Sequence, residues 1–120
     1  ATIYMSGYAL ELTLKYRICR IMKFSNGFPE NKAEFDIYYF DTTKTFLRST
    51  IRELRDIRHH KLPVLLRYSG EQLNIETNFT LDWDVVKDWN PEMRYINNII
   101  RRQKANDFLK STRAIINELL

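Results

Sequence analysis

Cysteine, glycine and proline are all scarce in this chain, and each scarcity excludes something. The 120 residues contain one cysteine, Cys19, so no disulfide can form within the chain and a disulfide-framed secreted domain is excluded. Cys19 lies in an apolar helical stretch, which predicts a buried thiol. With three glycines and three prolines, turns are few and long helices are favoured. Since no apolar run reaches the roughly 18 residues of a membrane-spanning helix, we expect one cytoplasmic domain, residues 1–120, without a membrane span.

The charge balance is only mildly basic. Nineteen Lys and Arg residues against fifteen Asp and Glu give a net charge of +4, which is compatible with phosphate binding without requiring it. A composition of 44% hydrophobic and 28% charged residues is typical of a globular domain with a core. The chain begins at Ala1 inside a helical pattern and without Met, so we expect part of the natural N-terminus to be missing.

The region from Ile3 to Phe24 has apolar residues at helical spacing, which predicts a long first helix. Its apolar residues form two seams: Ile3, Gly7, Leu10, Leu14, Ile18 and Ile21; then Met5, Ala9, Leu12, Tyr16 and Cys19. Two seams predict burial on two sides, either at the centre of a bundle or partly in a dimer. A glycine inside a helix costs about 1 kcal/mol relative to alanine, so Gly7 predicts another backbone close by. Gly27 is expected to end this helix as a left-handed cap.

The remaining chain predicts several shorter helices. Apolar spacing favours helices over residues 42–59, 62–67, 81–89 and 101–120. The aromatic-rich connector 28–41, with or without a short helix, is expected to pack onto the bundle or at an interface. Residues 71–78 alternate apolar and polar positions, which fits an extended piece or a loop, and Thr80 is the expected cap of the next helix. The predicted fold is all-α, an up-and-down antiparallel bundle of four to five helices.

A basic stripe on the predicted helix 42–59 is one candidate for chemistry. Its members, at steps of four, three and four, are Arg48, Arg52, Arg55 and His59, followed directly by His60. Arginine neutralises phosphoryl charge and histidine moves a proton, so such a stripe suits contact with phosphate or cleavage of RNA through its 2′-hydroxyl. The alternative is a solvated helix face on which Glu53 and Asp56 pair with the arginines.

Two smaller groups of charged residues are further candidate sites. Glu11 and Lys15 stand at i and i+4 in the favourable orientation for an ion pair, either in a polar network inside the bundle or near the surface. Asp82, Asp84 and Asp88 have no histidine or further carboxylate at a convincing ligand spacing, so we interpret them as helix-end charges and expect no metal. There is also no glycine-rich phosphate loop or nucleophile elbow, and we expect no cofactor.

Three segments carry a resemblance to a known family. Residues 4–15 read Y-x-x-G-Y-x-x-E-x-x-L-K, residues 60–66 read H-x-L-x-x-L-L, and residues 89–95 read W-x-P-E-x-R-Y. Phe108 and Leu109 then supply the F-L pair of a last helix. In this order the segments resemble the HEPN family, the helical "higher eukaryotes and prokaryotes nucleotide-binding" domains. The missing start of the chain would be the family's first helix.

The resemblance implies a helical bundle that forms homodimers, and many members act beside a small nucleotidyltransferase in toxin–antitoxin or phage-defence systems. Catalytic members are metal-independent ribonucleases whose motif is R-x(4–6)-H in a late helix. At the matching position this chain has Arg94 and Tyr95, and no histidine follows. Tyrosine, with an ordinary pKa of about 10, replaces histidine poorly as a base at neutral pH. The motif's spacing does occur earlier in the chain, as Arg52-x6-His59 and Arg55-x4-His60.

The expected function is a non-catalytic HEPN-type domain that binds a nucleotide, RNA or a nucleotidyltransferase partner. Its expected contact residues are Arg94, Tyr95, Glu11, Lys15 and His60. The first alternative is a metal-independent endoribonuclease that uses Arg52 or Arg55 with His59 or His60. The second alternative is a homo-oligomeric assembly module whose interface is the aromatic connector 28–41.

Overall fold

The computed structural model describes residues 2–24, 27–41, 51–92 and 102–120, and every regular element in these ranges is helical. The α-helices are α1 (Thr2–Met22), α2 (Lys32–Asp41), α3 (Leu62–Tyr68), α4 (Gln72–Asn78), α5 (Thr80–Val86) and α6 (Arg102–Leu119). The predicted all-α class is confirmed, whereas the up-and-down antiparallel order stays a prediction. Across the part of the chain that the structure describes, no helix is both long and apolar enough to cross a membrane.

Helix α1 contributes the middle of the hydrophobic core and packs against α6 and α3. Its first predicted seam is confirmed, with Leu10, Leu14 and Ile18 completely buried. Burying side chains of this size stabilises the fold by roughly 1.5–3 kcal/mol each. Helix α5 packs against α6 on another side of the core, to which it contributes Trp83 and Val86.

The second predicted seam of α1 faces outward. Met5 and Leu12 are 66% and 62% exposed, Tyr16 is 55% exposed, and Ala9 is exposed as well. Cys19 is the member that is buried, as predicted for its thiol. Burial of both seams within one chain is therefore wrong for this helix, while the dimer alternative stays a prediction.

Helix α1 ends earlier than predicted. Lys23 takes the left-handed conformation, with φ of 58°, and the N–H of Phe24 donates to the Cys19 carbonyl at 2.9 Å. This is the six-to-one bond that closes a helix and turns the next side chain back onto it. The reversal at Lys23 directs the Phe24 side chain into the core, where it is buried. The predicted cap at Gly27 is therefore wrong, although Gly27 also has a positive φ of 98°.

Gly7 is a point of close approach, but its neighbour is a side chain and not the predicted backbone. The Trp89 indole lies so near that a Cβ at position 7 would be 2.0 Å from its Cε2 atom. Tyr8 packs edge-on against the same indole, with ring centroids 5.2 Å apart. The segment that follows α5 is thereby packed onto the start of α1.

The connector 28–41 contains α2 and packs onto the body of the chain. Phe35 is buried in the core, edge-on to Phe24 at 6.2 Å and stacked on Tyr39 at 5.3 Å. Packing onto the bundle, the first of the two predicted alternatives, is thus confirmed for this ring. Ile37 of the same helix stays exposed.

Residues 51–60 differ most from prediction. Residues 42–50 lie outside the described residues, and 51–60 contain only a short 3-10 turn, Leu54–Asp56, where the end of an α-helix was predicted. The backbone N–H of Glu53 donates to the Asp56 carboxylate at 3.0 Å, and such side-chain acceptors compete with helical hydrogen bonds. Pro63, which has no N–H, would also leave a gap in a helix continuing into α3.

Residues 72–78 form α4, so the extended piece or loop predicted over 71–78 is wrong. Ile75 is buried whereas Leu73 is 81% exposed, because residues two apart lie on different faces of a helix. Thr80 is the first residue of α5 and not its cap, and its hydroxyl donates to the Glu76 carbonyl at 2.6 Å. Helix α5 also ends earlier than the predicted residue 89.

The C-terminal ends of the two long helices meet at Arg17. Its Nη1 donates to the Leu119 carbonyl at 3.0 Å, and its Nη2 donates to Glu71 Oε1 at 2.9 Å. Asn74 Nδ2 then joins the other Glu71 oxygen to Glu118 at 3.0 and 3.1 Å. This Arg17 clamp connects α1, α6 and the start of α4, and its guanidinium satisfies a carbonyl that the end of α6 leaves open.

Candidate phosphate-binding site

Glu11 is a buried carboxylate in the middle of α1. Its side chain is 3% exposed, and each oxygen has its own partner. Lys15 Nζ lies 3.0 Å from Oε2, and His60 Nδ1 lies 2.7 Å from Oε1. A buried carboxylate is costly without such partners, so the two contacts offset the burial of Glu11. The structure thus brings together three of the predicted contact residues, and the Glu11–Lys15 pair belongs to a network inside the fold.

His60 is held on one side and open on the other. Because a carboxylate accepts only, Nδ1 carries the proton toward Glu11, and in the neutral ring Nε2 keeps its lone pair. The ring also packs edge-on against Tyr8, with centroids 5.8 Å apart. The side chain nevertheless remains 44% exposed. His60 therefore has a fixed orientation and a nitrogen outside the Glu11 hydrogen bond.

His59, the adjacent histidine, has a different role. Its Nδ1 accepts the Lys61 backbone N–H at 3.1 Å, and its Nε2 donates to the Asp56 carbonyl at 2.8 Å. Only a neutral ring can do both. Burial lowers the pKa of His59 more than its hydrogen bond to the Asp56 carbonyl raises it, and the charges of Lys15 and Lys61 lower it further. His59 shapes the loop and cannot accept a substrate proton without breaking a backbone hydrogen bond.

A groove of about 970 Å³ opens beside the Glu11 network, between α1 and residues 27–30 and 58–60. The cationic side chains that line it are Lys15, Arg20, Lys23 and Arg58. Glu30 is its acidic lining residue, and both histidines lie at its edge. Four cations against one carboxylate leave this open concave surface with an excess of positive charge, which concentrates anions, and phosphate is an anion that lysines and arginines bind. This surface is named the basic groove.

Aromatic rings accompany the cations of the basic groove. Lys15 Nζ lies 4.9 Å from the centroid of Phe28, and Arg20 Cζ lies 5.9 Å from the centroid of Tyr16. Tyr16 is the more exposed of the two rings, and an open ring among cations is a surface on which a base can stack. Sequence reasoning assigned Tyr16 to an apolar seam and missed this role. The signal available was its i, i+4 spacing to Arg20.

Cys19 also lines the basic groove, but its thiol is unreactive at neutral pH. Burial raises the pKa of its thiol to about 11. Since the thiolate is the nucleophile and the thiol is not, this side chain acts as a small apolar residue at neutral pH.

A second groove of about 520 Å³ lies on the other side of the two histidines, which line both grooves. Its walls are residues 61–64 and 87–92. Its charged side chains balance, with Lys61 and Lys87 against Asp88 and Glu92. Asn90 lies among them, and its side-chain oxygen accepts the Glu92 N–H at 2.8 Å. This surface is named the neutral groove.

The predicted basic stripe is not assembled on one helical face. Arg48 lies outside the described residues, and residues 51–60 are not an α-helix. Arg55 pairs with Glu53, and the Arg52 backbone N–H donates to the Asp56 carboxylate at 2.9 Å. Neither arginine belongs to the lining of the basic or the neutral groove. Of the four catalytic candidates, only the two histidines therefore reach these grooves.

Arg94 and Tyr95 fall in 93–101, outside the described residues. Asp82 accepts a hydrogen bond from the Ser111 hydroxyl at 2.9 Å, and Asp84 pairs with Lys87 at 3.1 Å. Within the described ranges no group of three or more His, Cys, Asp or Glu side chains is arranged to hold a metal ion.

Comparison with known proteins adds no relative. No family model, no curated protein and no solved structure matches the chain. The resemblance to HEPN domains therefore stays a prediction that rests on the sequence segments.

Proposed function

We propose that this chain is a non-catalytic HEPN-type domain whose basic groove binds the phosphate groups of a nucleotide or of RNA. One observation carries the proposal: the cations of α1 and of the loop before α3 surround an open groove beside His60. The chain's modest net charge of +4 is thus unevenly placed. Such a local cluster attracts phosphate in a salt-dependent way, because bound cations release the counter-ions of the ligand.

The charges of the basic groove are largely available to a ligand. Lys15 is partly neutralised by Glu11 at 3.0 Å, but Arg20, Lys23 and Arg58 are exposed. Glu11 in turn orients His60, which adds a hydrogen-bonding nitrogen at the edge of the groove. The flexible cationic side chains attract phosphate without fixing its position. The oriented His60 ring offers one hydrogen bond of set direction, which can position the ligand.

The HEPN part of the proposal is supported by convergence of its separate segments. Tyr8 contacts both His60 and Trp89, Trp89 packs on Gly7, and Glu11 bonds His60 across 49 positions of sequence. Among the described residues, signature positions from each of the three segments thus meet in one place. Three matches that arose by chance would have no reason to lie together in the fold. Their contact therefore supports a common origin of the three segments.

Removing charge from the basic groove tests the proposal. The double variant Arg20→Ala and Arg58→Ala is expected to weaken binding of a fluorescein-labelled RNA octamer and of ATP. For the octamer, the slope of log Kd against log salt concentration is expected to fall by about two, one for each lost phosphate contact. Lys104→Ala and Lys110→Ala, an equal loss of charge at exposed positions of α6, is the matched control. Equal weakening by both pairs in fluorescence anisotropy would contradict a localised site.

RNA cleavage is a second candidate function, and the Glu11–His60 hydrogen bond favours it. A carboxylate-held imidazole keeps Nε2 as a proton acceptor, so His60 would take the 2′-hydroxyl proton as the 2′-oxygen bonds to phosphorus, while groove cations stabilise the phosphorane. The P–O5′ bond would then break, and the 5′-oxygen would take a proton from water. Since Arg52 and Arg55 line neither groove, Lys15 or Arg58 would supply that charge. Cleavage of labelled RNA in the presence of EDTA, lost in His60→Ala, would support this function. An uncleaved substrate with wild-type protein would remove it.

We also propose a homodimer and, from the resemblance, a nucleotidyltransferase partner. The exposed Tyr4 and Met5 of α1, which line neither groove, support an interface, because burying them would recover apolar area that a single chain leaves in water. Sedimentation equilibrium of the wild type against Met5→Lys tests the dimer. Monomeric wild type would contradict it, and failure of a neighbouring nucleotidyltransferase to co-purify would contradict the partner.

A further inference from the structure

We propose that the ligand is a single strand of nucleic acid, longer than a mononucleotide, that passes over His60 from the basic groove into the neutral groove. This inference rests on the proposed function of the basic groove. The carrying observation is that His59 and His60 line both grooves. The two surfaces are therefore adjacent parts of one path, with the Glu11-held ring at their junction.

The dimensions of this path exceed a mononucleotide. Sites for small molecules span roughly 300–1,000 Å³, and the basic groove alone has about 970 Å³, to which the neutral groove adds about 520 Å³. Along α1 the basic groove extends from Leu12 to Lys23, a length on the order of 16 Å at the rise of an α-helix. A ligand that fills both grooves is a chain of several nucleotides.

The charge of the lining side chains differs between the two grooves, as expected for a strand whose phosphates lie in one groove and whose base lies in the other. The basic groove places Arg20, Lys23 and Arg58 where backbone phosphates are held, and the open ring of Tyr16 gives a base a surface for stacking. The neutral groove has no excess of positive charge among its lining residues. Phosphate gains little there, whereas a base edge finds donors and acceptors.

The side chains of the neutral groove fit that base. Lys61 donates, Asp88 and Glu92 accept, and Asn90 has an amide nitrogen as a donor. Contacts to phosphate position a strand and contacts to base edges specify it. The backbone of the strand therefore lies in the basic groove, one base enters the neutral groove, and His60 lies at the phosphate between these two parts.

A length series tests the path. Unlabelled AMP and adenosine oligomers of two, four and eight nucleotides, as RNA and as DNA, compete with a labelled RNA octamer for the wild-type protein. Affinity is expected to rise about tenfold or more from AMP to the tetramer and then only slowly. The RNA and DNA arms show which sugar the site accepts. AMP that competes as strongly as the octamer would overturn the inference.

Inorganic tripolyphosphate separates this inference from the proposed function. Tripolyphosphate needs only the basic groove. If it binds but affinity does not rise from AMP to the octamer, the strand-binding path is wrong and the proposed phosphate site is still supported. Failure of tripolyphosphate, AMP and all oligomers to bind would defeat both.

A charge reversal in the neutral groove provides the positional test. Lys61→Glu is expected to weaken the octamer about fivefold or more and to leave tripolyphosphate unchanged, because only the longer ligand reaches this groove. Lys104→Glu on α6 is the matched control for net charge. Weakening of tripolyphosphate by Lys61→Glu to the same extent as the octamer would contradict a two-part path, provided that circular dichroism shows both variants folded.

Discussion

Two charged clusters lie on α1, and they differ in what they leave unused. The Glu11–Lys15–His60 network and the Arg17 clamp both connect α1 to distant segments through bonds of 2.7–3.0 Å. In the clamp, the two terminal nitrogens of Arg17 donate to a carboxylate and a carbonyl at the junction of three helices, whereas its Nε is buried without a hydrogen-bond partner. The network opens onto two grooves and keeps a 44% exposed histidine ring. Neither an ion pair nor a buried unpaired nitrogen therefore marks a site by itself; a hydrogen-bonding group that faces an open groove does.

The largest expected effect is that of Glu11→Gln, which acts on both stability and binding. Removing one partner of a buried pair leaves the other without compensation, and because Lys15 and His60 are only partly buried we expect a loss of about 2–3 kcal/mol in the free energy of unfolding. RNA affinity falls as well, because an amide oxygen holds the His60 ring by a weaker hydrogen bond than a carboxylate does. Urea denaturation and fluorescence anisotropy measure the two effects. Unchanged RNA affinity in the folded variant would remove Glu11 from the site.

Arg17→Ala is expected to act on stability alone. It leaves the Glu71 carboxylate and the Leu119 carbonyl without this donor, and a partly exposed network of this kind is worth about 1–2 kcal/mol. RNA affinity stays at the wild-type value. Arg113→Ala, on the exposed face of α6, controls for loss of an arginine. A drop in RNA affinity for Arg17→Ala that Arg113→Ala does not share would erase the contrast between the two clusters.

Tyr16→Leu isolates stacking from charge. The leucine keeps an apolar side chain on the exposed seam of α1 but removes the flat ring, which is worth roughly 1 kcal/mol or more for one stacked base. We expect about fivefold weaker binding of the octamer, unchanged binding of tripolyphosphate, and wild-type affinity in Tyr16→Phe. If Tyr16→Phe binds as weakly as Tyr16→Leu, the hydroxyl is responsible and stacking is not.

The smallest effect concerns pH and separates the neighbouring histidines. The pKa of His59 in the fold lies below its ordinary value of 6.5, so between these two values the unfolded chain binds more protons than the folded one. Stability therefore rises with pH across this window and is lost as pH falls through it, by less than about 1.4 kcal/mol per pH unit. His59→Gln should flatten that part of the stability profile in thermal melts. An unchanged slope would show that the His59 ring is not held neutral.

The extent of sequence-based prediction differed between long and short elements. The apolar spacing of α1 and α6 is repeated over many turns, so both helices and the buried seam of Leu10, Leu14 and Ile18 could be predicted. Residues 51–60 continue the helical apolar spacing that predicted a helix over 42–59, and residues 71–78 are too short for spacing to decide. In the first, the Asp56 carboxylate binds backbone N–H groups that a helix would use; in the second, helix geometry exposes Leu73 and buries Ile75.

The site shows the same division. Glu11 and Lys15 are four residues apart on a strongly predicted helix, so their pairing followed from sequence. The role of His59 did not, because its two bonds to the backbone depend on the local turn and not on residue type. Arg52 and Arg55 were grouped with the histidines only by a helical register that the described chain lacks.

By itself the sequence determined the all-α class, the long helices, the buried Cys19 and the Glu11–Lys15 pair, since each depends on side-chain character repeated at short range. Tertiary structure decided which histidine stays available, that Trp89 fills the space at Gly7, and that cations from α1 and Arg58 line one groove. Those outcomes depend on contacts between residues tens of positions apart, and the packing of a whole core selects them where no local spacing can.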